Sequence, residues 1–339
     1  MGAEGEGRGR RDTVRLQDLS YAYRQSATLI AAIELGLFTR ISRGAHTLPE
    51  IARSLDITPT NAERLLTACA ALKLVELEGE RYRNAPDVER FLVQDQTGYA
   101  GPWLLKSRTG REDWGHLAER LRNQEPPQVL GLYEGMTVEQ ARDLHEATYS
   151  VGLGAGRRFA KQVDLSRRSL ILDLGGGSGC YCIAAAQRYP KIGGIVFDLP
   201  PVAEVAREFI AQHGLSDRIR AVGGDFTKDE FPVGADLAIM ASNLPDYSPE
   251  LIRKVVRKAF AALAPGGEMH LIGEMLWPDR TGPVGPALWG LAEVFGNSTG
   301  IAHSEADVVE YFRSAGFADV TVNEFIPGSL SRVTGYKKP

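Results

Sequence analysis

The chain has 339 residues, of which 43% are hydrophobic and 24% charged, as in ordinary globular proteins. A net charge of −4 leaves no electrostatic footprint for nucleic acid, and no apolar run approaches the roughly 20 residues that span a bilayer. Residues 1–14 lack the apolar segment of a secretory signal and predict a disordered tail. Three cysteines make no disulfide framework, which fits a reducing compartment and predicts a cytoplasmic protein.

Residues 15–100 predict a helical domain with a winged-helix pattern. Apolar positions at helical spacing predict one helix over residues 14–40, with Gly36 as a plausible stop. Residues 47–85 then predict two helices and a short hairpin, and Thr58 is a good N-cap for the second helix.

This winged-helix pattern on its own suggests DNA binding. Its second helix carries only Arg64 and Lys73 as basic residues, whereas a recognition helix needs more charge that can bind phosphate. We therefore expect no nucleic-acid partner. A winged-helix regulator that senses a nucleoside remains the alternative from another class.

Residues 101–168 predict a helical linker and pocket segment, and from residue 169 to 339 strands alternate with helices. Strands are expected at "SLILDLG", "GGIVFDL", "IRAVGGDF", "ADLAIMAS", "EMHLIGEM", "DVTVNEF" and "LSRVTGYK". Such alternation predicts an α/β fold, Rossmann-like, with a mostly parallel seven-stranded sheet wrapped by helices on both faces.

The segment "LILDLGGGSGCY" predicts a ligand-binding turn. An apolar strand ends at Asp173, and Gly175, Gly176, Gly177 and Gly179 lead into a helix. Glycines suit a tight turn that a ligand approaches closely, and ligands in such folds lie beyond the carboxyl ends of the strands. The spacing departs from the dinucleotide fingerprint, which favours a nucleoside without a pyrophosphate.

Acidic residues end the next two strands. Asp198 ends one, where it can accept hydrogen bonds from both ribose hydroxyls. In "GGDF", Asp225 could accept from an adenine amino group and Phe226 could pack on the ring. Together with the glycines, these residues predict a nucleoside site.

The motifs "DLGGGSG", "FDLPPV", "GGDF" and "LAPGGEMHLIGE" resemble those of class I S-adenosylmethionine-dependent methyltransferases. With the N-terminal region, the chain from about residue 15 resembles the small-molecule O-methyltransferases of the acetylserotonin and plant phenolic type. The resemblance implies S-adenosylmethionine as cofactor, a small-molecule acceptor, and a homodimer formed by the N-terminal winged-helix domain. It also implies these cofactor-binding residues: Asp173, Gly175, Gly177, Gly179, Asp198, Leu199, Asp225, Phe226 and Ser242.

Members of that family usually carry a histidine base after the fourth strand, but "ASNLPDYSPEL" has Pro245 at that position. Asp246 follows, and its reference pKa near 3.9 would need a large upward shift to deprotonate an alcohol efficiently. Three explanations are open. The acceptor is a thioether sulfur that needs no base, a base lies elsewhere at His145 or Tyr149, or the bound cofactor serves other chemistry.

The first explanation predicts S-methylation of a thioether carboxylic acid such as 4-methylthio-2-hydroxybutyrate, giving a sulfonium. The chain resembles in size and layout the bacterial methylthiohydroxybutyrate S-methyltransferases of dimethylsulfoniopropionate synthesis. C- or O-methylation of a ring or keto-acid metabolite is the alternative. The candidate catalytic residues are Tyr149, His145 and Asp246, and the candidate substrate-binding residues are Trp103, Tyr149, Arg157, Asn243, Tyr247 and Trp289.

Some of these residues have simpler interpretations. Arg157 could belong to a solvated helix face, and each tryptophan could be a core residue. His270 is expected in the core, and His303, just before a helix, is expected at the surface. Asn243 and Pro245 do not supply histidine ligands for a metal, so no metal is predicted.

Overall fold

The computed structural model describes residues 12–107 and 113–339. The chain forms two compact units, residues 1–109 and residues 110–339, which divide within the predicted linker segment. Residues 1–11 of the predicted tail lie outside the described residues. None of the helices in the described ranges combines the length and the apolar character that a membrane span requires.

The N-terminal unit is mostly helical. The single helix predicted over residues 14–40 is wrong, because the segment is three helices. The interruption at Gly36 agrees with the predicted stop, whereas the break at Ala22 was not predicted. Gly36 has φ +71°, a left-handed conformation that glycine adopts without steric cost. The helices among the described residues of this unit are α1 (Val14–Tyr21), α2 (Tyr23–Glu34), α3 (Leu37–Ser42), α4 (Leu48–Ser54), α5 (Pro59–Ala71), α6 (Pro86–Phe91) and α7 (Gly101–Leu105).

Helices α4 and α5 precede a hairpin of β1 (Val75–Glu78) and β2 (Arg81–Asn84), as the sequence predicts. The Thr58 hydroxyl accepts a hydrogen bond from the Asn61 N–H at 3.2 Å and caps α5. Phe38, Ile51 and Leu66 are fully buried in the apolar core of this unit.

The C-terminal unit is built on one seven-stranded sheet, so the predicted Rossmann-like fold is confirmed. The strand order is β5-β4-β3-β6-β7-β9-β8; β3 to β7 run parallel, and β9 runs antiparallel to both of its neighbours. The strands are β3 (Leu170–Leu174), β4 (Gly193–Asp198), β5 (Ile219–Gly223), β6 (Leu237–Ala241), β7 (Glu268–Gly273), β8 (Ala318–Ile326) and β9 (Leu330–Tyr336).

Helices cover both faces of this sheet because its central strands β3, β4 and β6 are largely buried and apolar on both sides. Ile171 packs into the core on one face and Leu172 into the core on the other. The helices are α8 (Leu117–Arg120), α9 (Val138–Gln162), α10 (Cys180–Arg188), α11 (Pro200–Gln212), α12 (Pro249–Ala262), α13 (Val284–Ala292) and α14 (Glu305–Ala315). Short 3₁₀ turns lie at Gly131–Tyr133, Leu244–Asp246 and Glu293–Gly296.

The strand order reverses direction at β3, whose neighbours are β4 on one side and β6 on the other. In open α/β sheets this point opens a crevice beyond the carboxyl ends of the strands, where ligands bind. The predicted cofactor residues and the candidates Asn243, Asp246 and Tyr247 lie at or just beyond the ends of β3, β4, β5 and β6, so the topology brings them to one edge. The other acceptor candidates, Trp103, Tyr149, Arg157 and Trp289, come from other elements.

Candidate active site

The glycine turn, residues 175–179, is joined to the end of β4 through Asp198. The Asp198 carboxylate accepts hydrogen bonds from Gly177 N–H at 2.8 Å and from Leu199 N–H at 2.7 Å. Burial raises the pKa of Asp198 to about 6, and these two backbone donors oppose the rise. Each carboxylate oxygen keeps a further lone pair for a hydroxyl donor.

Glycine is required in this turn because two neighbouring side chains occupy the space of a Cβ. Gly175 has φ +63° and Gly177 has φ +54°. A Cβ on Gly175 would lie 2.3 Å from Asn243 Nδ2, and one on Gly177 would lie 2.6 Å from His145 Cε1. The structure therefore brings the predicted residues Asn243 and His145 against the turn.

Asn243 leaves one acceptor unused in this turn. Its Nδ2 donates to the Leu174 carbonyl at 3.3 Å, whereas its Oδ1 is buried and has no hydrogen-bond partner within the described residues. A buried acceptor of this kind calls for a donor from a ligand or water. Ser242, the preceding residue, has φ +58°, and its N–H donates to the Ile272 carbonyl.

Asp173 is the penultimate residue of β3, beneath the turn, and is 1% exposed. Burial, helped by the Asp198 charge, raises its pKa to about 7. A Cβ on Gly176 would lie 2.6 Å from Asp173 Cγ, so this carboxyl group lies directly against the turn.

Residues Asp225 and Phe226 lie beyond β5. Asp225 already accepts from the Thr227 N–H at 2.8 Å and forms an ion pair with Lys228 at 3.1 Å. An adenine amino group would therefore compete with these partners for Asp225. Phe226 is 7% exposed and meets the ring of Tyr247 edge to face, with the centroids 5.0 Å apart.

A second group, the Asp246 cluster, consists of Asp246, Glu293, Tyr133 and Trp289. The Tyr133 hydroxyl donates to Asp246 Oδ2 at 3.3 Å, and Trp289 Nε1 donates to Oδ1 at 3.4 Å. Glu293 accepts from the Ser298 hydroxyl at 2.6 Å, and its charge acts on Asp246. Two segments distant in sequence, one with Tyr133 and one with Trp289 and Glu293, thus surround one carboxyl group.

Two carboxyl groups in one buried cluster cannot both be charged at low cost. Asp246 is 8% exposed, and burial together with the Glu293 charge raises its pKa well above its usual range. Burial likewise raises the pKa of Glu293. The pair therefore holds a shared proton more tightly than an exposed aspartate does.

The 3₁₀ turn that contains Asp246 packs against residues 300–304. A Cβ on Gly300 would lie 2.3 Å from the Pro245 carbonyl oxygen, so this glycine lets the two backbones touch. His303 hydrogen-bonds the Tyr247 carbonyl through Nε2 at 2.9 Å and the Tyr311 hydroxyl through Nδ1 at 3.0 Å.

The expectation that His303 lies at the surface is wrong, because it is 0% exposed. Burial lowers its pKa, so it stays neutral and donates to one partner while accepting from the other. Both ring nitrogens are engaged, so this nearby histidine supports the turn and does not replace the missing base.

The other candidates lie elsewhere. The Tyr149 hydroxyl hydrogen-bonds His213, and its ring stacks on Phe209 with the centroids 4.3 Å apart. Burial raises the pKa of Tyr149 to about 12. Arg157 is exposed on α9, and Trp103 belongs to the N-terminal unit. Neither Tyr149 nor Arg157 is among the described contacts of Asp246.

Sequence reasoning did not single out Tyr133 and Glu293. Glu293 had a usable signal, because it is the one acid in the apolar stretch "ALWGLAEVFG". An acid in such a stretch is a candidate for burial with a partner. Tyr133 had none, since it lies in a short 3₁₀ turn without a periodic pattern.

Comparison with known proteins agrees with the architecture. Residues 114–318 match the O-methyltransferase domain, and residues 17–94 match the O-methyltransferase dimerisation domain. The chain is 33% identical to a 3-hydroxy-5-methyl-1-naphthoate 3-O-methyltransferase of Streptomyces sahachiroi, over 95% of this chain and 94% of the relative. It is also 33% identical to an N,N-dimethyltransferase of Streptomyces rimosus, over 78% of this chain and 79% of the relative.

A crystal structure of human N-acetylserotonin methyltransferase in complex with SAM superposes with a TM-score of 0.79, at 26% identity and with full coverage of both chains. The chain belongs to the O-methyltransferase family and is an S-adenosylmethionine-dependent methyltransferase. The matched dimerisation domain supports the predicted homodimer. This membership does not favour the alternative of a winged-helix regulator.

The residues at the glycine turn fit S-adenosylmethionine. The buried Asn243 Oδ1 can accept from an ammonium group, and Asp198 can accept from ribose hydroxyls. The glycines at 175, 176 and 177 have no room for a Cβ, and their bare backbone would let the methionine part of the cofactor approach closely.

Proposed function

We propose that this enzyme methylates a hydroxyl group on a small aromatic acceptor of the polyketide type, and that Asp246 takes the hydroxyl proton. The observation that carries the proposal is the buried Asp246 cluster. Asp246 itself immediately follows Pro245, which occupies the position where the family's histidine base is expected.

The surroundings of Asp246 adapt it to this role. A general base works best when its pKa approaches the operating pH. An ordinary aspartate is too weak a base for a phenol, whose pKa is about 10. Burial and Glu293 raise the pKa of Asp246 and so narrow this gap. Tyr133 and Trp289 hold the carboxylate in one orientation.

An aromatic acceptor is supported by the apolar surface next to Asp246. Helix α13 carries Trp289 at 37% exposure and Leu288 at 47% exposure, and the Tyr133 ring contributes from another segment. Such side chains suit a flat apolar ring. Two relatives, the hydroxynaphthoate enzyme and a tetracenomycin polyketide 8-O-methyltransferase of Streptomyces glaucescens, are named for methylating oxygen.

When bound, S-adenosylmethionine supplies the activated methyl group. Asp198 would hold its ribose and Asn243 Oδ1 its ammonium, with the glycine turn against the methionine part. The remaining proposed contacts are Asp173 and Leu199 beside the turn, Asp225 and Phe226 at the adenine, and Ser242 beside Asn243. The chain would contribute mainly by orienting the acceptor and receiving its proton at Asp246.

S-methylation of a thioether carboxylic acid is the second candidate, because Pro245 removes the usual base and sulfur needs none. The charges weigh against it. An acceptor carboxylate would lie near Asp246 and Glu293, and Arg157 is exposed on α9. The resemblance to methylthiohydroxybutyrate S-methyltransferases therefore stays a prediction.

The test offers purified enzyme and labelled S-adenosylmethionine to four acceptors. These are a naphthol without a carboxylate, a simple phenol, an aromatic amine and 4-methylthio-2-hydroxybutyrate. We expect methyl transfer to the naphthol oxygen, with the product's position read by NMR. Transfer to the thioether alone would overturn the proposal, and transfer to the amine alone would overturn the assignment to oxygen.

A further inference from the structure

A polar cavity of about 470 Å³ lies against β7, β8 and β9, and no residue of the glycine turn or of the Asp246 cluster lines it. Its walls include Arg167, Arg168, Glu268 and Arg332. Glu268 is the first residue of β7, whereas Arg332 pairs with Ile272 near the other end of that strand. The cavity therefore runs along the strands, beside β6 and the turn that carries Asp246. We call this space the distal cavity.

The sheet face beneath the distal cavity is polar, which is unusual under a helix. His270 of β7 pairs with Thr334 of β9, and Asn323 of β8 pairs with Arg332, so these side chains share one face. The intervening residue Leu271 points to the other face and is 0% exposed. Sheets covered on both faces are normally apolar on both, so this polar patch is a local exception.

Most polar groups of the patch are already paired with one another. Glu268 accepts from Arg168 Nε at 3.1 Å and lies 3.5 Å from His270 Nε2. His270 Nδ1 also interacts with the Thr334 hydroxyl at 3.0 Å. The carboxylate of Glu268 is therefore already bound by Arg168, whereas the buried His270 Nε2 makes no hydrogen bond within the described residues.

Arg332 is the cation of the patch with unmatched donors, because its Nε and Nη1 atoms are buried and have no hydrogen-bond partner within the described residues. Burial lowers the pKa of Arg332, yet an arginine stays protonated in proteins. Leaving guanidinium N–H groups buried and unmatched costs free energy that an acceptor would recover.

The charges that line the distal cavity also favour an anion. Arg167, Arg168 and Arg332 face two acids, Asp164 and Glu268. Asp164 accepts from the Ser166 N–H at 3.0 Å on an exposed turn, and Glu268 is engaged by Arg168. Arg167 is exposed and stands where an incoming anion would pass.

We propose that the distal cavity is a second binding site, for a small organic or inorganic oxyanion, and that Arg332 is its main ligand with Arg167 at its entrance. The volume lies in the range of small-molecule sites. Carboxylate and phosphate share the acceptor chemistry that a guanidinium recognises. This site neither uses nor requires the Asp246 cluster.

The test is titration calorimetry of the full-length enzyme with inorganic phosphate and, separately, with benzoate, at constant ionic strength set by sodium chloride. S-adenosylmethionine is kept saturating, so that the cofactor site is filled. We expect saturable binding of at least one of the two anions, which also tells a phosphate site from a carboxylate site. Absence of saturable binding by both would overturn the proposal.

Variants locate the binding. Arg332→Gln should raise the Kd of the anion by at least about tenfold, because a charged hydrogen bond is lost. The affinity for S-adenosylmethionine should stay unchanged. Arg257→Gln, on the exposed side of α12, is the matched control and should bind as the wild type does. Equal affinity in wild type and Arg332→Gln would refute the assignment.

A variant at the entrance of the distal cavity tests the proposal independently if Arg332→Gln folds poorly. Arg167 is exposed, so Arg167→Gln should leave the thermal transition in place and weaken the anion severalfold. Unchanged anion affinity in Arg167→Gln would then overturn the proposed site.

Discussion

The glycine turn and the Asp246 cluster lie at the same edge of the sheet but are built in different ways. The turn is organised by backbone groups. The N–H groups of Gly177 and Leu199 donate to Asp198, and these residues lie 21 positions and 1 position from it in the sequence. The Asp246 cluster depends on side chains, and Tyr133 and Trp289 lie 113 and 43 positions from Asp246. Cofactor binding is thus specified by a local motif, whereas acceptor chemistry depends on distant segments that can change independently.

The sharpest way to separate the two regions is Asp246→Asn. Asparagine keeps the shape of the side chain but offers only one acceptor oxygen, so it can accept from either Tyr133 or Trp289 but not from both, and it cannot take a proton. We expect kcat for a hydroxyl acceptor to fall by roughly 10²–10⁴, with the Kd of S-adenosylmethionine unchanged. Steady-state kinetics and calorimetry measure the two quantities separately, and exposed Asp217→Asn serves as the control.

An Asp246→Asn variant with wild-type kcat would show that no proton passes through this residue. It would then strengthen the thioether candidate, for which sulfur attack needs no base.

The complementary change is Asp198→Asn, which should affect cofactor binding and spare the proton transfer. The amide loses the negative charge and presents an NH₂ group to one of two backbone donors. Since each hydrogen bond to a charged group contributes about 1.5–3 kcal/mol, we expect the Kd of S-adenosylmethionine to rise roughly 10–100-fold. Calorimetry without an acceptor checks this, and an unaltered Kd would disprove the ribose assignment.

A subtler change, Glu293→Gln, tests the coupling inside the Asp246 cluster. The Glu293 charge helps to raise the pKa of Asp246, and its removal should lower that pKa. Because the base acts when deprotonated, activity rises with pH through the pKa of Asp246. The acid limb of the kcat profile should therefore move to lower pH, with severalfold more activity below the wild-type midpoint.

A pH profile of Glu293→Gln that does not move, or that moves toward alkaline pH, would mean that the two carboxyl groups do not share a proton in the enzyme. The Kd of S-adenosylmethionine should remain constant across the comparison.

The smallest expected effect is on stability. The folded-state pKa of Asp246 is raised above its unfolded value, so the folded protein binds more protons between the two values. Its contribution to the free energy of unfolding therefore falls as pH rises from about 4 through the folded pKa. Asp246→Asn should remove this loss, so the free energy of unfolding measured in urea should depend less on pH than it does in the wild type.

Much of the cofactor half was predictable because its determinants are local. Alternating apolar segments predicted the parallel sheet, and the glycines between Asp173 and Cys180 predicted a tight turn, which the structure forms with positive φ angles at Gly175, Gly177 and Gly179. Local patterns also misled: Gly36 was predicted as a stop and does interrupt the helix, but the periodicity gave no sign of the break at Ala22.

The acceptor half was decided by the tertiary structure. The sequence alone showed, through Pro245, that the histidine base is missing. The burial of Asp246 could not be predicted, because it depends on segments that are distant in the sequence. His303 gave the appearance of a surface residue because it precedes a helix, yet long-range packing buries it against Tyr247 and Tyr311. Backbone conformation is set by neighbours in sequence, whereas the pKa of a carboxyl group is set by whichever charges and solvent the fold places around it.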